Sequence, residues 1–202
     1  MQRISPASCR ILGIDPGLNH TGWGVIEAEG NRLSYLACGR INAPASLEMA
    51  ARLSFLHAEL CMLIAQHKPD EAAVEETFVN KNAASALKLG MARGIAMLAP
   101  AENGLSVAEY SANLIKKSVS GYGHAEKEQL ARMVKVFLPK ADFTSNDAAD
   151  ALAVAICHAH HRQSLFRHAR EGGHPRKAKQ RVLWPVVDPR LRGDDKKRRA
   201  AS

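Results

Sequence analysis

The sequence predicts an α/β fold in which a mixed sheet carries helices on both faces. Three strand-like apolar segments joined by tight turns occupy residues 10–41, and later strands alternate with helical segments as far as residue 161. The composition, with 46% apolar and 24% charged residues in a chain of 202, is that of a globular protein large enough to bury a core. A small disulfide-stapled protein and a chain disordered throughout are therefore excluded.

Three strands are predicted at the start of the chain. Residues 10–15 form a short apolar strand that ends where Pro16 begins a turn. A second strand is predicted at 22–28, and the turn at Gly30 leads into a third at 32–41. Consecutive strands joined by such short turns pair in opposite directions, so these three predict an antiparallel meander.

Helical periodicity begins after the meander. Apolar residues recur at helical spacing over 46–67, with Ser46 as a candidate N-cap and Pro69 just beyond the end. The remaining elements are a strand at 71–76, a helix at 82–99, a strand at 105–110, helices at 111–119 and 125–138, and a last helix at 146–161. Helix-linked strands that follow a meander complete a mixed sheet.

The positive charge of the chain is concentrated in its last segment. The formal net charge is +8, and the whole of the basic excess lies beyond residue 160, in blocks such as 196–199. This segment also contains Gly172 and several prolines, and so polar and charged a segment cannot bury enough apolar surface to fold. We therefore expect a folded domain over 1–162 and a basic, disordered tail over 163–202.

Neither secretion nor membrane insertion is predicted. The four cysteines form no CxxC pair, which favours reduced thiols. The longest apolar helical stretch, 83–101, carries Lys88 and Arg93, so it does not resemble a membrane span. We expect a cytoplasmic protein.

Four carboxylates stand where the predicted fold would bring them together. Asp15 ends the first strand and Glu75 ends the fourth, and these strands can end at one edge of a mixed sheet. Asp147 and Asp150 lie three residues apart at the start of the last helix, so they project from one helix face. A helix packed across the strand ends would bring its aspartates to the same place. We call Asp15, Glu75, Asp147 and Asp150 the acidic cluster.

The acidic cluster predicts a metal-dependent hydrolase. Like charges this close repel one another unless a cation joins them, and carboxylates without His or Cys favour Mg²⁺ or Mn²⁺ over Zn²⁺. Two such ions roughly 4 Å apart would serve in-line attack of water on a phosphodiester. Each carboxylate also has an ordinary explanation: a turn at Asp15, a solvated strand end at Glu75 and a helix-dipole contact for the two aspartates. The conjunction of all four favours the metal site.

A basic segment lies between the carboxylates in sequence. Most of its cations fall on predicted helices; they are Lys81, Lys88, Arg93, Lys116, Lys117, Lys127, Arg132, Lys135 and Lys140. A site that cuts phosphodiesters needs such cations to hold the nucleic-acid backbone. Phe78, just past the fourth strand, could stack on an unpaired base. The alternatives are a solvated helix face for the lysines and core packing for Phe78.

Several long motifs resemble those of the RuvC family of crossover-junction endodeoxyribonucleases. They are ILGIDPGLNHTGWGVI at 11–26, VEETFVNKNAASALKLGMARG at 74–94, GYGHAEK at 121–127 and NDAADALAVAICH at 146–158. The resemblance covers about residues 9–162, in the order and spacing of the family. It implies a ribonuclease-H-like fold for a nuclease domain over 1–162, and the tail beyond it has no counterpart in the family core.

The resemblance also implies an activity. Members of the family act as homodimers that nick two opposed strands of a four-way (Holliday) DNA junction symmetrically, in recombination and repair. They use Mg²⁺, here expected as two ions per site with Mn²⁺ as a substitute, and work with the RuvA–RuvB branch-migration complex. The acidic cluster matches the family's four catalytic, metal-binding carboxylates. Phe78 matches an aromatic that contacts a junction base, and Lys116 and Lys127 match lysines that contact DNA near the scissile phosphate.

Three other interpretations are open to the sequence. Asp15, Gly17 and Gly22 could form the phosphate loop of an actin-like or sugar-kinase-like phosphotransferase, although such enzymes need two domains of this kind. A junction-binding protein without catalysis is the second. The third is a zinc site at the end of the last helix, formed by Cys157, His158, His160 and His161, with no evident fourth ligand among those able to converge.

The first predicted helix is the candidate dimer surface. Its apolar residues exceed those that one buried face needs, and a self-complementary face would bring two copies together. They are Leu53, Phe55, Leu56, Leu60, Cys61, Leu63 and Ile64.

Overall fold

A five-stranded mixed sheet forms the centre of the fold. The computed structural model describes residues 8–76, 82–123 and 126–170, with side chains as far as residue 164. The strands are β1 Cys9–Asp15, β2 His20–Glu29, β3 Arg32–Asn42, β4 Glu71–Glu76 and β5 Ser106–Ser111, and the helices are α1 Met49–His67, α2 Ala83–Glu102, α3 Ala112–Ser120, α4 Lys127–Phe137 and α5 Asn146–Arg170. Every predicted element is present, in the predicted order.

The strands lie in the order β3-β2-β1-β4-β5. β1, β2 and β3 form the predicted antiparallel meander, with the tight turn at Gly30 between β2 and β3. β4 lies parallel to β1, and β5 lies parallel to β4. The prediction that the first and fourth strands are neighbours with their ends at one edge is therefore confirmed.

Side chains alternate along the strands and fill two hydrophobic cores. Leu12 and Val25 face α1 and α2, where Leu56 is buried. Ile11 and Ile26 point the other way, into the core formed with α3, α4 and α5. The helices thus cover both faces of the sheet, as predicted.

Helix α5 lies close to the sheet because the strands beneath it carry glycines. A Cβ added at Gly13 or Gly22 would overlap backbone atoms of α5, and one at Gly24 would overlap the side chain of Leu152. The part of α5 that packs here, residues 151–157, is fully buried. Glycine at these three positions therefore sets how near the start of α5 comes to the strand ends.

A polar network closes the other end of this interface. Glu71, at the start of β4, accepts a hydrogen bond from Nε2 of His158 at 2.8 Å and one from Nε of Arg162 at 3.0 Å. The bond from His158, more than any other contact, lowers the pKa of Glu71, to about 2. Nδ1 of His158 lies 2.8 Å from the hydroxyl of Tyr110. Both ring nitrogens of His158 therefore make hydrogen bonds within the protein, so in this conformation neither nitrogen is available to bind zinc.

The start of α1 differs from its predicted position. The helix begins at Met49, and Glu48 is its N-cap residue, without a side-chain capping bond. Ser46 lies instead in a turn in which the N–H of Leu47 donates to the carbonyl of Pro44 at 3.2 Å. The turn holds Ser46 outside the helix, so the prediction that it caps α1 was wrong.

Helix α5 is longer than predicted. It continues to Arg170, so the prediction of disorder was wrong for residues 163–170, and the proposed boundary at 162 falls within a helix. The sequence contains no glycine or proline between Asn146 and Gly172, and the helix therefore meets no stop signal over this stretch. Residues 171–202 lie outside the described residues, and for them the disordered tail stays a prediction.

Two further features bear on the setting of the protein. Each of the four cysteines is a free thiol. Among the described helices, none combines the length and the apolar character that crossing a membrane requires.

Candidate active site

One row of residues crosses the sheet at the end of β1. Asp15 lies opposite Gly22 in the β1–β2 register, and Gly22 lies opposite Arg40 in the β2–β3 register. On the other side of β1, Glu75 lies beside Asp15, one residue beyond the last paired position of β1 and β4. Neighbours in such a row share one face of the sheet, which here is the face covered by α5.

Helix α5 adds two carboxylates above this row. Asp147 and Asp150 lie at its start. Because Gly22 has no side chain, the backbone of Asp147 rests directly on β2. The exposed fraction of the side chain is 32% for Asp147 and 19% for Asp150. The acidic cluster is therefore built from three elements, β1, β4 and α5.

The four carboxylates lie close enough to repel one another. Burial, followed by the charges of Glu75, Asp150 and Asp147, raises the pKa of Asp15 to about 8. Burial and then the charge of Asp150 raise the pKa of Glu75 to about 7, and burial, with a contribution from Asp147, raises that of Asp150. The structure thus brings together all four residues that the sequence singled out, with Asp15 acted on by the other three.

The two predicted DNA-binding lysines adjoin the acidic cluster. Nζ of Lys127, at the start of α4, lies 3.9 Å from Oδ2 of Asp150. Lys116, on α3, is near enough to oppose the raised pKa of both Glu75 and Asp150. Phe78 lies outside the described residues, so its predicted contact with a base stays a prediction.

Arg40 is a residue of this site that the sequence did not reveal. Its Nη1 atom lies 3.4 Å from Oδ2 of Asp147. Counting outward from the β2–β3 turn would place Arg40 opposite Thr21, on the other face of the sheet. A β-bulge at 25/26 shifts the register by one residue and turns Arg40 toward α5. Residue types do not reveal such a bulge, so the sequence offered no direct signal for Arg40.

The donor chemistry of the acidic cluster fits a hard divalent cation. Carboxylate oxygens are the ligands that Mg²⁺ and Mn²⁺ prefer, and a cation would turn the mutual repulsion of these groups into attraction. As the described side chains stand, no three His, Cys, Asp or Glu groups converge on a point that could hold an ion.

The glycines of the possible phosphate loop have other roles. Gly22 makes room for the backbone of Asp147. Gly17 lies in a tight turn, where its N–H donates to Oγ1 of Thr21 at 3.2 Å and its carbonyl accepts from the same hydroxyl at 2.6 Å. A Cβ added at Gly17 would also overlap the carbonyl of His20, so close packing accounts for both glycines without a bound nucleotide.

Comparison with known proteins decides the family. A sequence model described as crossover junction endodeoxyribonuclease RuvC matches residues 11–158. The chain belongs to the RuvC family. RuvC from Bradyrhizobium diazoefficiens is 63% identical over 155 residues, which are 77% of this chain and 89% of that protein. RuvC from Rhodopseudomonas palustris strain BisA53 is 62% identical over 158 residues, 78% of this chain and 91% of that protein.

Solved structures agree with this assignment. RuvC of T. thermophilus in complex with a Holliday junction substrate has a TM-score of 0.72 and 30% identity, over 77% of this chain and 96% of that one. The yeast mitochondrial Holliday junction resolvase Ydc2 has a TM-score of 0.57 at 14% identity, over 84% of this chain and 86% of that one, and it supports the fold alone. The predicted ribonuclease-H-like fold is confirmed.

RuvC-family membership establishes the class of activity. The chain is a crossover junction endodeoxyribonuclease, a metal-dependent DNA nuclease that resolves Holliday junctions in recombination and repair. This sets aside both the phosphotransferase and the binding protein without catalysis.

Proposed function

We propose that this RuvC-family nuclease cuts two opposed strands of a four-way junction symmetrically, by Mg²⁺-dependent hydrolysis at the acidic cluster. The observation that carries the proposal is the meeting of four carboxylates, from three elements, on the face of the sheet beneath α5. Burial and, after it, the charges of neighbouring carboxylates raise the pKa values of Asp15, Glu75 and Asp150, and a divalent cation would offset both effects.

The position of each carboxylate suggests its part. Asp15 interacts with the other three members of the cluster, so it is the residue suited to be shared between two ions. Glu75 and Asp147 flank it from β4 and α5 and would each complete one coordination shell, while Asp150 completes the site or orients the attacking water. When bound, Mg²⁺ or Mn²⁺ would supply Lewis-acid activation of water and stabilisation of the leaving 3′ oxygen.

The basic residues hold the substrate. Lys116 and Lys127 sit beside the carboxylates and would bind phosphates next to the scissile one. Phe78 would stack on an unpaired base at the junction; this role rests on the family resemblance. Partnership with the RuvA–RuvB complex and action in the cytoplasm rest on the same resemblance, and the free thiols of the chain suit a reducing compartment.

An assay of strand cleavage tests the function. A labelled four-way junction and a linear duplex of the same sequence would be incubated with the protein in Mg²⁺ and in EDTA. We expect paired nicks in opposed strands of the junction, little cutting of the duplex, and loss of all cutting in EDTA. Equal cutting of both substrates, or cutting that survives EDTA, would contradict the proposal.

A homodimer would supply the two active sites that symmetric cutting needs, and α2 offers a surface for it. Leu87, Met91 and Leu98 lie along one stripe of this helix and are 63%, 37% and 45% exposed. The opposite stripe, which includes Ala92 and Ala96, is buried against the chain's own core. Three large apolar residues thus face away from the protein on one stripe, which is typical of an interface.

Helix α1, which the sequence indicated as the dimer surface, is a weaker candidate for that surface than α2. Its residues Leu56, Leu60 and Ile64 are buried, and the others that seemed in excess (Leu53, Phe55, Cys61 and Leu63) pack against the same core. The extra apolar residues of α1 are used within the chain, because α1 packs against α2 as well as against the sheet.

Charge reversal on α2 tests the dimer. Leu87→Glu is expected to shift the protein from dimer to monomer in sedimentation velocity, because a carboxylate would be buried at the interface without a partner. Its nicks in the two opposed strands should also lose their coupling. Met62→Glu on α1, at a side chain 57% exposed, is the matched control and should leave the dimer intact. If only the Met62→Glu variant dissociated into monomers, the dimer interface would lie on α1 and not on α2.

A further inference from the structure

A groove of about 550 Å³ adjoins the acidic cluster. It lies between the end of β3 and the segment that leads into α5, and its volume falls within the roughly 300–1,000 Å³ of ligand pockets. Its lining is mostly polar and includes Arg40, Asn42, Lys127, Ser145 and Asn146. Asp147 also lines it, so the groove opens directly onto the carboxylates.

Two cations face this groove, and each is paired with a different carboxylate. Arg40 lies 3.4 Å from Asp147, and Lys127 lies 3.9 Å from Asp150. Both distances are long for charged pairs. The exposed fractions of the two basic side chains are 39% and 75%, and exposed pairs of this kind contribute little to stability. The cations can therefore exchange these partners for another anion.

The position of Arg40 depends on a local irregularity. The bulge at 25/26 places Arg40 in the same row as Asp15, with only Gly22 between them. The space above Gly22 holds the backbone of Asp147, so Arg40 adjoins the cluster through Asp147, whose carboxylate its guanidinium contacts. Bulges often re-aim a side chain next to an active site, and here one aims a planar, five-donor cation at the place where a phosphodiester backbone must pass.

We propose that this groove binds a backbone phosphate of the DNA strand being cut, with Arg40 as the residue that grips it. This rests on the proposed function, since it assumes that the strand is cut at the acidic cluster. Asp147 would be one of the residues that hold a cation, and Arg40 would then be released from it, with two parallel N–H donors that suit two phosphate oxygens. Lys127, which also lines the groove, contributes a second positive charge.

The test measures binding separately from cleavage. Affinity for a fluorescent four-way junction would be measured by anisotropy over a range of salt concentrations, in an Asp15→Asn background so that the DNA stays whole. Arg40→Ala is expected to weaken binding about tenfold, the effect of one charge-assisted bond. It should also reduce the slope of log affinity against log salt by about 0.9, which corresponds to one phosphate contact. Arg40→Lys should keep the slope while recovering only part of the affinity.

A control at the far end of β3 separates the effect of losing Arg40 from the general effect of losing one positive charge. Arg32 is exposed, in the last β2–β3 pair, next to the turn, and Arg32→Ala removes the same charge there. Binding and slope should stay as in the parent. Equal losses from both variants would overturn the proposal in favour of a diffuse charge effect.

A second outcome would also overturn it. If Arg40→Ala binds with parental affinity and slope, yet lowers the cleavage rate when Asp15 is restored, then Arg40 only positions Asp147. Failure of the proposed function has a different signature, because Asp15→Asn alone would then still cut the junction. The two proposals can therefore fail independently.

Discussion

Asp15→Asn is expected to reduce junction cleavage at least about a thousandfold, which is the order of loss when one member of a catalytic group is removed. Asparagine keeps the shape of the side chain but removes one of two anionic oxygens and the charge. Asp15 is the member of the acidic cluster whose pKa responds to all three others, so no neighbour can take its place. Single-turnover cleavage of a labelled junction in Mg²⁺ measures the loss.

Two controls separate catalysis from folding. The variant's midpoint of thermal unfolding in EDTA should be no lower than that of the parent, because asparagine is neutral and both burial and the neighbouring carboxylates disfavour a negative charge at this position. Glu76→Gln makes a similar change at the exposed position next to Glu75, on the opposite face of β4, and should cut at nearly the parental rate. If Asp15→Asn cut the junction at the parental rate, the acidic cluster would be ruled out as the active site.

Gly22→Ala is expected to lower cleavage about a hundredfold and to destabilise the fold by about 2 kcal/mol. The added methyl group would overlap the carbonyl of Asp147, so the start of α5 must move away from β2. Overpacking of this kind costs roughly 1–3 kcal/mol, and a displacement near 1 Å at a catalytic group can cost about a hundredfold in rate. Urea unfolding and single-turnover cleavage measure the two effects.

The matched control is Gly90→Ala. A Cβ added at Gly90 has no atom within 4 Å, and alanine favours a helix by up to about 1 kcal/mol over glycine. Its free energy of unfolding should be equal to or above that of the parent. If Gly22→Ala were as stable and as active as the parent, the close approach of α5 would not set the position of Asp147.

Much of the fold follows from local sequence signals. Turn residues at Pro16 and Gly30 and short apolar segments predicted the meander, and later segments predicted the helices and the two strands between them. The neighbouring positions of Asp15 and Glu75 also followed, since Asp15 ends β1 and Glu75 lies one residue before the end of β4, which pairs with β1. These features depend on residues close together in sequence or on rules of connection that hold for most sheets.

Features that depend on register and on tertiary packing did not follow. Arg40 reaches the site only because a bulge shifts β3 by one residue, and nothing in the residue types marks that shift. Ser46 has a good capping side chain, yet a turn with Pro44 holds it outside α1. The surplus of apolar residues on α1 suggested an interface, but only the packing of α1 against α2 reveals where that surplus goes.

The dependence of the site on α5 has a consequence for how the protein folds during its synthesis. All five strands precede α5 in the chain, so a ribosome releases the sheet before it releases the helix. Until α5 arrives, half of the carboxylates are missing, and the strand face later covered by residues 151–157 stays open to water. The docking of α5 therefore closes this core and brings the four carboxylates together in one event. We expect a chain that ends before Asn146 to lack nuclease activity.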